Sequence, residues 1–178
     1  YRKPVPCIQL LHCLENEVNG GLSTLADGFA VATYLKKKNK DLFKILTETK
    51  VRFRFVDTST ILENWGELIE LDENKNIKQV RYSTRLDYVP ALEKNKLEKF
   101  YKARKLLSNL YASPKFEMRF KLEKGDLIMM DNHRLLHGRT SYDVNEGKRY
   151  LKGCYIDHDS TEGKLRYLER KFGLKWKK

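Results

Sequence analysis

The chain alternates short apolar runs with polar breaks for most of its length, which predicts many short strands with a few helices among them. Residues 7–14 are a brief apolar run bounded by Pro6 and by Glu15, Asn16 and Glu17, and read as a buried strand. Alternation puts Ile8, Leu10 and His12 on one face and Gln9, Leu11 and Cys13 on the other. Asn19, Gly20 and Gly21 make a turn, and Ser23 opens an extended segment. Asp27 is placed to cap a helix reaching 34–37, with Phe29, Val31, Ala32 and Leu35 on its apolar side. A second helix over 41–48 gathers Leu42, Ile45 and Leu46. Val51, Phe53 and Phe55 alternate with Arg52 and Arg54 as a half-buried strand, and 68–71 with 77–82 predicts a hairpin.

The longest periodic signal runs over 92–111, where Leu97, Phe100, Tyr101, Arg104, Leu107, Leu110 and Tyr111 recur at spacings of three and four, as in a helix facing a core. Phe116, Met118, Phe120 and Leu122 alternate as a strand. Lys124, Gly125 and Asp126 then turn the chain into 127–130, a short buried strand. A further strand spans 150–156 and a helix 163–171. Strands this short must bury a face against a second sheet, so the expected class is mainly β with helical insertions, a sandwich or barrel. One domain accounts for 178 residues.

Charge alters this picture little. The net charge of +12 comes from lysines scattered over 36–38, 94–105, 121–124 and 175–178, not gathered on one face with aromatics between them. That pattern suits a solvated basic surface and argues against a nucleic-acid partner. No window of 18 apolar residues is present, so no membrane span is expected. Cys7, Cys13 and Cys154 are odd in number and form no C-x-x-C pair, as expected of reduced, buried thiols in a cytoplasmic protein.

The densest chemistry lies over 131–142, which holds Asp131, His133, Arg134, His137, Arg139 and Tyr142. Leu135 and Leu136 lead into His137 and Gly138, so His137 sits at the lip of a packed interior. A histidine there is either a metal ligand or a hydrogen-bonded structural group. Twelve residues on, Arg149 opens an otherwise apolar strand and is either a surface cation or a carboxylate clamp.

Asp131, Asn132, Arg134, Leu136, His137, Gly138 and Arg139 form a motif that resembles the γ-butyrobetaine and trimethyllysine hydroxylases. The same likeness holds for Gly153, Cys154 and Tyr155, for the run from Ile8 to Cys13, and for Gly20, Gly21, Ser23, Asp27, Gly28 and Phe29. These are TauD-like iron(II)- and 2-oxoglutarate-dependent dioxygenases, and the motifs run through almost the whole chain in the family's order. The resemblance implies a double-stranded β-helix, the clavaminate synthase-like jelly roll. It implies Fe(II), 2-oxoglutarate and O2, with ascorbate as an accessory reductant.

His137 matches the distal histidine of a two-histidine, one-carboxylate iron triad. Arg149 matches the arginine that grips the far carboxylate of 2-oxoglutarate, Ser23 a small hydroxyl residue near that carboxylate, and Leu11 a residue lining the pocket. Tyr155 matches one wall of an aromatic cage for a trimethylammonium substrate; the bare sequence reads it equally well as a core tyrosine. None of His12, His133, His137 and His158 is followed two residues later by an acid, so the family's His-x-Asp pair is expected upstream of Tyr1. The 178 residues are then the C-terminal part of a single TauD-like catalytic domain. Three positions depart from the pattern: His133 replaces a tryptophan, Leu22 an aspartate, and Tyr82 an asparagine near the substrate carboxylate. Arg85 fits the family and is left facing either solvent or substrate. The implied reaction is hydroxylation of a small betaine, γ-butyrobetaine to carnitine, by a homodimer. Trimethyllysine hydroxylation is the nearest alternative, and a non-catalytic basic binding module is the alternative of another class.

Overall fold

The computed structural model describes residues 1–174; the lysine run at 175–178 lies outside the described residues. Two three-stranded antiparallel sheets carry the chemistry-bearing segments. In the first, β1 (Ile8–Asn16) is flanked by β11 (Arg149–Ile156) and β9 (Leu127–Asp131). In the second, β2 (Ser23–Asp27) lies between β10 (Leu135–Arg139) and β8 (Glu117–Phe120). The connections β1 to β2, β8 to β9, β9 to β10 and β10 to β11 each pass from one sheet to the other. The corner between β9 and β10 is tight: Asn132 donates its backbone N–H to the Cys7 carbonyl at 2.6 Å and its side-chain amide to that of Pro6 at 2.9 Å. The described residues do not close into a barrel.

Between β2 and β8 the chain builds a second lobe. Helix α1 (Gly28–Lys38) starts where expected, with the Asp27 carboxylate accepting from the N–H groups of Phe29 and Ala30. Helix α2 (Lys40–Glu48) follows at once, capped by Asn39. The sheet β4 (Ile61–Glu67), β3 (Lys50–Val56), β7 (Asp87–Tyr88) and the hairpin of β5 (Ile69–Leu71) with β6 (Ile77–Val80) come next. Helix α3 (Lys94–Tyr111) then buries Phe100, Ala103, Leu107 and Tyr111. The main apolar core lies here, joining Val31, Leu35, Leu46, Val51, Ile69, Phe100 and Leu107. Helix α4 (His158–Phe172) closes the described chain and buries no residue.

Several expectations need correction. The run 127–130 is a strand but not a buried one: Met130 is 3% exposed, whereas Leu127 and Met129 on the opposite face are 57% and 67% exposed. Cys154, expected to be buried, is exposed, because strand alternation turns it away from the face that carries Tyr155. Tyr101 lies on the solvent side of α3, and Ala103 takes the inward position. Strands β4 and β7 have no counterpart in the sequence reading.

Candidate active site

Register fixes which side chains share a face. In the second sheet His137 pairs with Leu25 and Arg139 with Ser23, so alternation puts Leu135, His137 and Arg139 on the side that carries Ser23 and Leu25. In the first sheet Gln9 pairs with Tyr155, Leu11 with Gly153 and Cys13 with Leu151; past a bulge in β1, Asn16 pairs with Arg149. Leu11, Tyr155 and Arg149 therefore lie on one face, the better-covered one, where Gln9 and Cys13 are 5% and 0% exposed. Gly153 makes room there: a Cβ at that position would lie 3.2 Å from the Leu11 side chain.

The turn after β1 joins the two sets. Gly20 and Gly21 have φ of +76° and +58°, a region glycine enters freely and other residues rarely. This lets Gly20 pair with Tyr142 and Gly21 donate to the Ser141 carbonyl at 3.1 Å. The Arg149 side chain packs directly on Gly21, where an added Cβ would meet its Nε at 3.1 Å. The Tyr142 ring receives two guanidiniums, that of Arg139 at 5.0 Å and that of Arg149 at 5.6 Å from its centroid. Arg139 follows His137 by two residues on the same face of β10, a step of roughly 7 Å. His137, Arg139, Ser23 and Arg149 thus belong to one continuous region.

Arg149 is half-buried, and its Nε is buried without a hydrogen-bond acceptor. Neither Arg149 nor Arg139 forms an ion pair among the described residues. Ser23 is 7% exposed beside them. A partly buried guanidinium with no acidic partner is the arrangement that a carboxylate completes, so these residues fit the far end of an oxoacid.

His137 keeps solvent contact, yet burial by the surrounding protein holds its pKa below the usual imidazole value. That favours the neutral ring, the form that can ligate a metal. Among the described residues, no group of three His, Cys, Asp or Glu side chains converges on a common point. One imidazole does not make a tight iron site, so residues 1–174 do not by themselves fit the metal.

His137 borders a cavity of about 200 Å3 whose walls include the aromatic rings of Tyr1, Phe53 and Tyr82 and the amides of Asn64, Gln79 and Asn132. No carboxylate lines it; its one arginine, Arg81, is bound to Glu70. Tyr155 is not part of this wall. It lines a neighbouring hollow of about 110 Å3 that shares Tyr1, Val5 and Asn132, and the Arg2 guanidinium lies 5.3 Å from its ring centroid. Arg85 lines a third hollow, of about 460 Å3, which His137 also borders. His133 lines none of these three hollows; its Nε2 lies 2.9 Å from the Val5 carbonyl and its ring packs edge-on against His158. The sequence reading missed Phe53, Asn64 and Gln79 as cavity residues. Of these, only Gln79, a buried amide 4% exposed in a short strand, leaves a signal, and that signal is tertiary.

The family model for the taurine catabolism dioxygenase TauD, TfdA family matches residues 1–155. The γ-butyrobetaine dioxygenase of Pseudomonas sp. (strain AK-1) is 32% identical over 169 residues, covering 95% of this chain, and the one from Homo sapiens is 35% identical over 171 residues, covering 93%. The mitochondrial trimethyllysine dioxygenase of Mus musculus is 30% identical over 173 residues, covering 92% of this chain and 40% of its own length. This chain spans 44% of the length of each γ-butyrobetaine dioxygenase. Among solved structures, an asparagine oxygenase superposes with a TM-score of 0.67 at 17% identity, covering 87% of this chain and 46% of that one. A taurine dioxygenase from Burkholderia xenovorans superposes with 0.64 at 18% identity, covering 85% and 53%. These two share the fold. With the family model covering most of its residues, the chain belongs to the TauD, TfdA dioxygenase family.

Proposed function

We propose that this chain is part of an iron(II)- and 2-oxoglutarate-dependent dioxygenase that hydroxylates a trimethylammonium substrate, γ-butyrobetaine to carnitine. In this reading its two three-stranded sheets contribute to a double-stranded β-helix, completed by other strands of a longer protein. The observation that carries the proposal is Arg149, a half-buried cation with no acidic partner among the described residues, in the same region as His137. Leaving a charge so placed unpaired is unfavourable, and a carboxylate meeting the guanidinium relieves it.

Each residue then has a task. Arg149 and Ser23 hold the far carboxylate of 2-oxoglutarate and Leu11 packs along the pocket. His137 offers one neutral nitrogen to iron, the remaining ligands coming from residues outside those described here. When bound, the oxoacid supplies electrons that oxygen requires. The cavity beside His137 suits a substrate cation that cannot donate hydrogen bonds, because its walls are aromatic rings, amides and aliphatic side chains and its one arginine, Arg81, is paired with Glu70. Cation–π attraction in such a place contributes around 1–2 kcal/mol per ring. Tyr155 lines the adjacent hollow, where its ring already accepts one organic cation, Arg2, and offers a second aromatic face for the substrate's cation.

Trimethyllysine hydroxylation is the competing reading, supported by the 30% identity with the mouse enzyme. A panel assay separates the two. The full-length protein, given Fe(II) and 2-oxoglutarate, should form succinate in response to γ-butyrobetaine more strongly than to trimethyllysine, and His137→Ala should reduce that response to background. Betaine-dependent turnover that survives His137→Ala removes the assignment of the iron ligand. No response to any betaine removes the substrate class.

A further inference from the structure

The grouping of Arg139, Tyr142 and Arg149 is unusual on electrostatic grounds. Two guanidiniums touch one ring, at 5.0 and 5.6 Å, and neither has a carboxylate partner among the described residues. Like charges held this close repel one another, so an arrangement that keeps them together needs compensation. The ring supplies part of it, since its face attracts cations. The ring is itself fixed: Tyr142 pairs with Gly20 through the backbone, Gly21 donates to the Ser141 carbonyl, and Leu22 and Thr140 exchange hydrogen bonds at 2.9 Å. The tyrosine is therefore a rigid spacer set by the turn that also precedes Ser23.

Resting on the proposed use of 2-oxoglutarate, we propose that Tyr142 is a positioning residue for Arg149 and that Arg139 is a second cation of the oxoacid site. Tyr142 holds the Arg149 guanidinium in one orientation against Gly21. Arg139, against the same ring and in register with Ser23, adds positive potential where the dicarboxylate's far end enters. The site selects a dianion, and it does so through two arginines, of which only Arg149 grips the carboxylate.

The test is calorimetric titration of the full-length protein with 2-oxoglutarate, and with glutarate, which keeps the far carboxylate and lacks the keto group. Tyr142→Phe keeps the ring and should bind both within about twofold of wild type. Tyr142→Ala should weaken both by about tenfold, the scale of a partly desolvated cation–π contact. Arg139→Gln, at an exposed position that tolerates change, should weaken both and flatten the salt dependence of binding. With 2-oxoglutarate saturating, the KM for the betaine should stay unchanged in all three, a split that a general loss of folding would not produce. The inference is overturned if Tyr142→Ala and Arg139→Gln bind like wild type while Arg149→Gln does not bind, or if Tyr142→Phe fails as badly as Tyr142→Ala. The first of these outcomes leaves the use of 2-oxoglutarate standing; only a wild-type protein that ignores both acids removes the two together.

Discussion

The lobe inserted between β2 and β8 and the pair of sheets around it are built on opposite terms. In the lobe, helices α1, α2 and α3 close over strands β3, β5 and β6, and Val31, Leu35, Leu46, Val51, Ile69, Phe100 and Leu107 are at most 1% exposed. In the sheets, far fewer residues are buried, and large apolar side chains stand in solvent: Met118 at 64%, Leu127 at 57%, Met129 at 67% and Tyr150 at 54%. The residues proposed for chemistry, His137, Arg149, Ser23, Leu11 and Tyr155, lie on the sheets. The lobe contributes cavity walls such as Phe53, Asn64, Gln79 and Tyr82. Packing thus supplies rigidity on one side, and the other keeps polar groups with unmet hydrogen-bonding capacity, which is where ligands are recognised.

If this division is right, the largest loss of stability comes from the lobe. Phe100 is fully buried at the centre of its core, and Phe100→Ala should cost about 3–5 kcal/mol, read as a lower urea midpoint with an unchanged slope. A loss below about 1 kcal/mol would mean that the core is not the anchor.

A middling effect is expected at Asp27, where lobe and sheet meet. Its carboxylate caps α1 and pairs with Arg134 from the corner after β9. Burial alone would raise its pKa, but the Arg134 guanidinium and the N–H groups of Ala30 and Phe29 outweigh that and hold it below the usual carboxylate range. A folded-state pKa below the unfolded one stabilises the protein above the unfolded value, about 3.9, and the contribution fades as pH falls through the folded value. Asp27→Ala should therefore cost about 1 kcal/mol at neutral pH, and the gap from wild type should narrow in acid, measured by thermal unfolding across pH. A gap that widens in acid would falsify the assignment.

How much of this was legible in the residues varies with the kind of signal. The Asp27 cap, α2 and the hairpin of β5 and β6 were readable because their patterns are local. His137, Arg149 and Ser23 were named as motif positions, and register within each sheet together with the turn at Gly20 and Gly21 puts them in one region. Strand β4 was missed because its pattern is broken: Ile61 and Trp65 are exposed, and only Gly66 is buried. Tyr142 was named only as a member of the 131–142 stretch; its contacts with Arg139 and Arg149 could not be read, since they depend on a turn at Gly20 and Gly21 more than a hundred residues earlier in the chain. Periodicity also misjudged 127–130, because four consecutive apolar residues do not say whether one face is covered or two.

That last misjudgement leads to the smallest expected effect. Met129 and Met130 are neighbours in β9 paired to Leu10 and Gln9 of β1, so alternation sends them to opposite faces, one in solvent and one beneath 3% exposure. Met129→Ser removes an apolar side chain that is largely in water already, and should change the stability of this 178-residue chain by less than about 0.5 kcal/mol in chemical denaturation. It should also lower any tendency of the chain to self-associate through the outer face of the first sheet, where Leu127, Met129 and Tyr150 are exposed. The same substitution is also informative in the other direction. A loss above about 1 kcal/mol would mean that this face is covered in solution, by a further segment or a second copy, and that the contrast between lobe and sheets is narrower than the exposures suggest.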